Sequence, residues 1–263
     1  MLSPFYETRC PSPVTATDIF GKSWKSRLPI PGHEGLGGDA SLFEDFRPAW
    51  FDRVLPGGVA GRSVLELGPF EAYQTYLLER LGAGPITSIE GNSFNFLKCV
   101  LLKNELGLAA KFLFGDFLKH LRASEGRYGA CWASGVLYHQ VRPLELLDAI
   151  TEHTDALFLW THYYDRSMIL DAPPEQQRLF QPDRHETIGW GDYECPHFVR
   201  SYGIENYETS IPDYWEGGSA PFACWLKKDD IVGYLRTKGL RHVVWEDTPP
   251  LSGLPCASVA AWR

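Results

Sequence analysis

The chain has 263 residues, enough for one large α/β domain, and its 44% hydrophobic and 22% charged residues are typical of a globular protein with a sizeable core. This composition gives no reason to expect disorder. A formal net charge of −8 argues against a protein that coats nucleic acid, because such proteins normally carry a basic face.

The cysteines and the longest uncharged stretch indicate where in the cell the protein is expected. Six cysteines, at positions 10, 99, 131, 195, 224 and 256, form no CxxC pair, so we expect reduced thiols in a cytoplasmic protein. Residues 1–13 lack a basic start followed by an apolar run, and we expect no signal peptide. The longest uncharged stretch, Tyr128–Val141, contains too many polar residues to predict a membrane span.

The first 60 residues are rich in proline and glycine and predict an irregular segment. Pro29–Gly38 has the composition of a loop, and Asp39–Trp50 predicts a short helix with Leu42, Phe43 and Phe46 on one face. We expect residues 1–60 to cover the functional site of a domain that spans 61–263.

From Ser63 onward, short apolar runs alternate with segments of helical periodicity. Strands are predicted at Ser63–Leu67, Ile86–Glu90, Lys111–Phe114, Tyr128–Ser134 and Ala156–Thr161, and helices at Tyr73–Leu81, Phe94–Leu106 and Pro143–His153. Strands that alternate with helices predict a parallel sheet with right-handed crossovers.

The alternation stops after Thr161, where residues 162–226 are rich in aromatic residues, proline and glycine. We expect an ordered insertion that forms a lid or a substrate wall, since long loops in compact domains are usually functional. A helix over Asp229–Lys238 and strands over Arg241–Glu246 and Ala257–Trp262 follow, the strands separated by a loop at Thr248–Pro255. The predicted fold is a doubly wound, mostly parallel, seven-stranded Rossmann-like α/β sheet with an antiparallel edge strand.

Candidate ligand-binding residues follow the predicted strands, because ligands of open α/β sheets lie outside the carboxyl ends of the strands. Gly68 allows the loop after the first strand to approach a ligand closely, and Glu66 can shape that loop. Glu90, at the end of the second strand, can accept hydrogen bonds from both hydroxyls of a ribose. Asp116 and Phe117 can hold the edge and the face of an adenine, and Ser134 ends the fourth strand.

These segments, in this order, resemble class I methyltransferases that use S-adenosylmethionine (SAM). The family pattern ExGxGxG aligns with Glu66, Gly68, Phe70 and Ala72, with two of its three glycines replaced, and Glu90 and Gly115-Asp116 fit the next two positions. Ser134–Leu147 (SGVLYHQVRPLELL) and Trp225–Asp230 are similar to the branch that includes the tRNA-uridine carboxymethyltransferases. The resemblance covers roughly residues 60–161 and 225–263.

The resemblance implies that SAM is the co-substrate. The residues implied to bind it are Glu66, Gly68, Glu90, Asp116, Phe117 and Ser134. It also implies in-line displacement of the methyl group by an acceptor atom. The aromatic content of the segments expected to close over the site favours a small, partly apolar acceptor molecule.

Histidines follow two of the strands. His139 comes after the fourth strand and His162 after the fifth, so either could be the general base that deprotonates the acceptor. Either could instead hydrogen-bond a ligand or pack in the core. A further group in the insertion has no standard zinc spacing, and we expect no metal there; it comprises His185, Asp192, Glu194, Cys195 and His197.

Other interpretations stay open at this point. One is a tRNA-modifying (carboxy)methyltransferase, in which Lys22, Lys25 or Arg27 would face the carboxylate of a carboxylated SAM. A second is a SAM-binding protein without turnover. A third is a nicotinamide enzyme, although Gly68–Ala72 lacks the usual GxGxxG pattern. Glu66 and Asp116 could also be helix caps and Glu90 a solvated strand end. The acceptor atom and the oligomeric state are not predicted.

Overall fold

A computed structural model describes residues 6–33, 37–212 and 215–263, with the backbone alone at 181–184. The strands in chain order are β1 (Val64–Leu67), β2 (Ile86–Glu90), β3 (Lys111–Phe114), β4 (Ala130–Ser134), β5 (Ala156–His162), β6 (Phe180–Trp190), β7 (Tyr193–Ser201), β8 (Phe222–Trp225), β9 (His242–Leu251) and β10 (Leu254–Trp262). Residues 34–36 of the predicted loop at Pro29–Gly38 and residues 213–214 of the predicted insertion lie outside the described residues.

The α-helices lie mainly between the strands. In chain order they are α1 (Pro13–Thr17), α2 (Arg47–Val54), α3 (Tyr73–Arg80), α4 (Ser93–Leu106), α5 (Phe117–Ala123), α6 (Pro143–His153), α7 (Arg166–Asp171), α8 (Pro174–Gln177), α9 (Tyr207–Ser210) and α10 (Lys228–Thr237). Short 3₁₀ helices occupy Asp18–Ser23, Leu42–Glu44 and Leu137–His139. Within the described ranges, no helix combines the length and the apolar character that crossing a membrane requires.

Seven of the described strands form one sheet in the order β3-β2-β1-β4-β5-β10-β9. Strands β1 to β5 are parallel to one another, and β10 is antiparallel to both of its neighbours. The predicted doubly wound, mostly parallel sheet is therefore confirmed, with its antiparallel strand one place inside the edge. The strand order reverses between β1 and β4, which creates a crevice at their carboxyl ends.

Alternate side chains of the central strands enter two apolar layers. Leu65 and Leu157 pack with residues of α5, α6 and α10 on one face of the sheet. On the other face, Trp132 and Phe158 pack with residues of α2 and α3. Because both faces are covered, the central strands are nearly continuous apolar runs, and the polar Glu66 within β1 is an exception.

The helix predicted over Asp39–Trp50 is wrong in its position. A 3₁₀ turn at Leu42–Glu44 comes first, and α2 begins only at Arg47, whose backbone N–H donates to the Asp45 side chain at 3.0 Å. Phe43 is buried but Phe46 is 60% exposed, so the predicted apolar face does not form. The segment predicted to be irregular also contains α1 and the 3₁₀ helix at Asp18–Ser23.

The loop predicted at Thr248–Pro255 is a β-hairpin. Strand β9 continues to Leu251, and Ser252 and Gly253 form the turn with φ values of 54° and 77°. Two consecutive positive φ angles are typical of the tight turns that join antiparallel strands. Prolines 249 and 250 are tolerated because β9 is the edge strand, where an absent N–H interrupts no second ladder.

The predicted insertion contains a second sheet, which the sequence pattern did not predict. Strands β6, β7 and β8 pair in that order, antiparallel throughout. Its aromatic residues form a core with side chains that flank β5 and β10; the members include Tyr164, Phe180, Phe198, Trp225 and Leu254. This packing holds the small sheet against the carboxyl end of β5. The division at residue 60 and the insertion's role as a wall stay predictions.

Candidate active site

The loop after β1 has an unusual backbone. Gly68, Phe70 and Ala72 have φ values of 65°, 57° and 54°. This left-handed region is open to glycine but costs other residues about 1–2 kcal/mol each. Phe70 and Ala72, which replace glycines of the ExGxGxG pattern, therefore still have the backbone conformation that glycine adopts without strain. A Cβ atom on Gly68 would lie 2.9 Å from Val136 Cγ1 in the loop after β4, so the two loops meet at the crevice.

Glu66 lies beneath this loop and is fully buried. Its Oε2 accepts hydrogen bonds from Thr75 Oγ1 at 2.5 Å and Ser88 Oγ at 2.6 Å, which joins β1 to α3 and β2. Among the described residues, its Oε1 has no partner. Burial raises the pKa of Glu66 to about 7. The geometry fits a residue that positions the loop rather than one that contacts a ligand.

Glu90, at the end of β2, holds the loop from the other side. Its Oε2 accepts from Phe70 N at 3.0 Å and its Oε1 from Asn92 N at 2.8 Å. Glu90 is only 7% exposed, so it is not a solvated strand end, and burial raises its pKa. The two carboxylate oxygens have four lone pairs, and the N–H groups of Phe70, Asn92 and Gly91 do not fill them all, so Glu90 can still accept from a ribose hydroxyl.

Asp116 caps α5. Its Oδ1 accepts from Leu118 N at 2.9 Å and from Lys119 N at 3.1 Å, and its side chain is half exposed. The interpretation of Asp116 as a helix cap therefore describes its present contacts, and Oδ2, which lies 3.9 Å from Lys119 Nζ, is the oxygen without a backbone donor. Phe117 is the first residue of α5 and packs partly against the main core.

Ser134 belongs to a polar cluster that sequence reasoning missed. Its Oγ accepts from Arg47 Nη1 and from Gln74 Nε2, both at 3.2 Å. Arg47 is ion-paired with Asp45 at 2.8 Å, and its guanidinium carbon lies 5.1 Å from the centre of the Trp160 ring. Arg47, from the N-terminal segment, thus contacts Ser134 at the end of β4 and Trp160 near the end of β5, and no motif or spacing in the sequence indicated these contacts.

His162, the last residue of β5, is surrounded by aromatic rings. It stacks on Trp225 at 4.9 Å between ring centres, and the rings of Tyr138 and Trp160 lie 4.7 Å and 5.4 Å away. Its Nδ1 donates to the carbonyl oxygen of Pro255 at 2.9 Å, so the lone pair of the neutral ring is on Nε2. Burial lowers the pKa of His162 to about 4, and the ring is neutral at physiological pH.

His139 lies in the 3₁₀ turn after β4, with its ring 4.1 Å from that of Tyr138. Its Nδ1 is 2.6 Å from the Tyr202 hydroxyl, which also accepts from Gly218 N. Burial, followed by the positive charge of Arg200, lowers the pKa of His139 to about 3. If the Tyr202 hydroxyl donates its hydrogen to Nδ1, the neutral His139 ring must carry its own hydrogen on Nε2. His139 is then a hydrogen-bond donor, whereas His162 offers an acceptor.

A buried ion pair fastens the N-terminal segment to the loop after β1. Lys98 Nζ lies 2.8 Å from Glu71 Oε1, and both side chains are at most 1% exposed. Glu71 also accepts from the backbone N–H groups of Lys25 and Ser26, and Lys98 donates to the carbonyl oxygen of Ser23. The backbone of residues 23–26 therefore lies directly against Glu71, which no sequence signal indicated.

The three basic residues considered for a carboxylated donor are exposed. Lys25 pairs with Glu216 of the insertion at 3.4 Å, and Arg27 donates to the carbonyl oxygen of Asp39 at 3.4 Å. Lys22 lies in the last turn of the 3₁₀ helix at Asp18–Ser23. The Lys25–Glu216 pair brings the N-terminal segment and the insertion together.

The His, Asp, Glu and Cys residues of the insertion lie along the β6–β7 hairpin. His197 is buried, and its Nδ1 is 3.0 Å from the carbonyl oxygen of Cys195. His185 pairs with Phe198 in the strand register and Glu194 with Gly189. In the described part of the chain, no three such residues converge as metal ligands.

Comparison with known proteins places this geometry in a familiar fold. The N-terminal domain of EvdMO1 with S-adenosylhomocysteine (SAH) bound has a TM-score of 0.67 and 20% identity, covering 95% of this chain and 94% of that one. Magnesium protoporphyrin IX methyltransferase from Synechocystis PCC 6803, with bound SAH, has a TM-score of 0.53 and 14% identity over 82% and 80% of the two chains. The fold is that of the class I SAM-dependent methyltransferases.

Sequence comparison gives a narrower match. No protein-family model matches the chain. A tRNA U34 carboxymethyltransferase of Marinobacter nauticus is 26% identical over 161 residues, which are 59% of this chain and 48% of that protein. The match thus spans about half the length of this curated relative. Among solved structures, 1,6-didemethyltoxoflavin-N1-methyltransferase of Burkholderia thailandensis has a TM-score of 0.51 and 15% identity, covering 86% of this chain and 79% of that one.

Proposed function

We propose that the protein binds SAM at the crevice between β1 and β4 and transfers its methyl group to a small, partly apolar molecule. The loop after β1 carries this proposal. It contains three left-handed residues, Gly68, Phe70 and Ala72, and the middle one, Phe70, donates its backbone N–H to Glu90. The fold around this loop is one in which several solved relatives bind SAH.

Different residues at the strand ends would contact different parts of SAM. Glu90 would accept hydrogen bonds from the two ribose hydroxyls, and Gly68 would let the backbone lie against the ligand. Asp116 and Phe117 would contact the adenine edge and face. Glu66 is buried and would position the loop after β1. Ser134 is hydrogen-bonded to Arg47 and would position the loop after β4. When bound, SAM supplies a methyl group activated by its sulfonium.

His162 is the proposed general base. The Pro255 carbonyl fixes its tautomer, so Nε2 can take the proton that the acceptor atom loses as its bond to the methyl carbon forms. With a pKa lowered to about 4 by burial, the ring is neutral at physiological pH, so the Nε2 lone pair is free of a proton. The surrounding rings of Tyr138, Trp160 and Trp225 would exclude water, and the half-buried Tyr138 and Trp160 would provide apolar surface for the acceptor.

Titration calorimetry with SAM, SAH and NAD tests the ligand class. We expect SAM and SAH to bind and NAD not to bind. Glu90→Ala should weaken SAH binding by about 1–3 kcal/mol, the loss expected for a charged hydrogen-bond partner. Glu152→Ala, an exposed glutamate in α6 at the opposite end of the sheet, is the matched control. Binding of NAD alone, or equal SAH affinity in the two variants, would contradict the proposal.

A second candidate is a tRNA-modifying (carboxy)methyltransferase, which the match to the Marinobacter nauticus enzyme favours. The net charge of −8 argues against it, because phosphate binding needs a basic surface. We expect no gel shift with bulk tRNA at physiological ionic strength. A salt-sensitive shift that persists under these conditions would favour the tRNA enzyme over the small-molecule enzyme.

A further inference from the structure

Arg200, in β7 of the small sheet, lies among aromatic rings. Its guanidinium carbon is 5.5 Å from the ring centre of Trp225, 5.7 Å from that of Tyr202 and 6.0 Å from that of Phe180. Aromatic faces attract a cation but do not neutralise its charge. The residue is absent from every motif that the sequence pattern indicated.

The charge of Arg200 has no counter-ion among the described side chains. None of the ion pairs found there includes it. Its Nε is buried and has no hydrogen-bond partner among the described residues, and its Nη2 reaches Gln176 Oε1 only at 3.5 Å. Burial lowers the pKa of Arg200. An arginine with donors left over and no carboxylate paired to it among the described side chains is suited to an anion that comes from outside the chain.

This cation lies beside both candidate histidines. Trp225, one of the rings against Arg200, stacks on His162, and Tyr202, another of them, lies 2.6 Å from His139 Nδ1 through its hydroxyl. The positive charge of Arg200 contributes to the lowered pKa of each histidine. Arg200 is thus next to the ends of β4 and β5, where the acceptor must lie if His162 is its base.

We propose that the methyl acceptor carries a carboxylate, which Arg200 binds, on a flat apolar body that packs against the half-buried rings of Tyr138 and Trp160. The inference rests on the proposed function and specifies its substrate class. The planar fork of an arginine matches a carboxylate in two parallel hydrogen bonds. One guanidinium also balances the single charge of one carboxylate. If the Tyr202 hydroxyl donates to His139 Nδ1, the Nε2–H of His139 is a further donor next to Arg200.

The test uses SAH-saturated protein and a panel of small aromatic acids, among them benzoate, phenylacetate and cinnamate. Each acid is paired with its carboxamide, and binding is measured by ligand-observed NMR. We expect acids to bind at least about tenfold more tightly than their amides, the scale of one charge-assisted contact. Arg200→Met should abolish this preference, Arg200→Lys should keep part of it, and Arg178→Met, an exposed arginine of the same insertion, should leave it intact.

Several results would overturn the inference. They are equal binding of acids and amides, binding of neither, and an acid preference that survives in Arg200→Met. Thermal unfolding separates a binding role from a structural one. Loss of an uncompensated charge should leave the melting temperature of Arg200→Met equal or higher, whereas a clear fall would assign Arg200 to the fold. If SAH still binds but acids show no preference, only this inference fails; if SAH does not bind, the proposed function fails.

Discussion

Replacing either partner of the Glu71–Lys98 ion pair should destabilise the protein strongly. Both side chains are at most 1% exposed, so removal of one leaves a buried charge without its partner. Such a loss typically costs about 3–5 kcal/mol. Lys98→Met should fall near the lower value, because Glu71 keeps the N–H donors of Lys25 and Ser26. Glu71→Gln should fall near the upper value, because Lys98 keeps only the Ser23 carbonyl as a full acceptor.

The double variant, Glu71→Gln with Lys98→Met, shows whether the single losses come from an unpaired buried charge or from lost packing. With both changes present no buried charge is left unpaired, so its destabilisation should be smaller than the sum of the two single losses by about 2 kcal/mol or more. Urea unfolding followed by tryptophan fluorescence gives all three free energies of unfolding. Arg127→Met is the control: its ion pair with Asp155 is about half exposed on both sides and should contribute under about 1 kcal/mol.

Strict additivity of the two changes, or a loss in Lys98→Met no larger than in Arg127→Met, would refute this reasoning. The same variants report on the N-terminal segment. Because Glu71 and Lys98 hold the backbone of residues 23–26 against the loop after β1, Lys98→Met should also weaken SAH binding more than Arg127→Met does. Equal SAH affinities would separate the ion pair from the proposed site.

Two further predictions concern titrating groups. Burial raises the pKa of Glu66 from 4.5 to about 7, so the folded protein keeps a proton that the unfolded chain loses, and the contribution of Glu66 to stability should fall as pH rises across that window and level off above it. The lowered pKa values of His139 and His162 act in the opposite direction, so the measurement is the difference between wild type and Glu66→Gln. The melting temperature of wild type relative to Glu66→Gln should fall across this window, and a constant difference would contradict the assignment. His162→Asn should lower turnover by about 10²–10⁴-fold at unchanged SAH affinity, measured as SAH release with a hydroxyl-substituted member of the aromatic-acid class as methyl acceptor. Wild-type turnover should fall only as pH approaches the His162 pKa of about 4, and undiminished turnover in the variant would exclude His162 as the base.

The central sheet was predictable because its signals are local and strong. Each parallel strand is a short apolar run between helices of clear periodicity, and β1, β2 and β3 lie within one residue of their predicted ends. The errors fall where tertiary context overrides composition. Pro249 and Pro250 indicate a loop, yet an edge strand accepts them. At Asp39–Trp50, the Asp45 side chain and Pro48 delay the helix start to Arg47.

The candidate site divides in the same way. Residues carried by a motif, such as Gly68 and Glu90, lie where the strand ends predicted them. Arg47, Lys98 and Arg200 were missed because their significance depends on partners distant in sequence: Arg47 meets Ser134 across 87 positions. In an aromatic-rich insertion, the spacing of residues along the sequence does not show whether an arginine is buried or exposed. Only the fold could therefore identify Arg200 as a buried cation.

A crystal structure of the protein with SAH tests the central claim most directly. The account predicts SAH in the crevice between β1 and β4, with its ribose hydroxyls hydrogen-bonded to Glu90 and the Gly68–Ala72 loop alongside. The sulfur should face the aromatic rings around His162. SAH bound elsewhere, or bound in the crevice without contact to Glu90, would contradict the account.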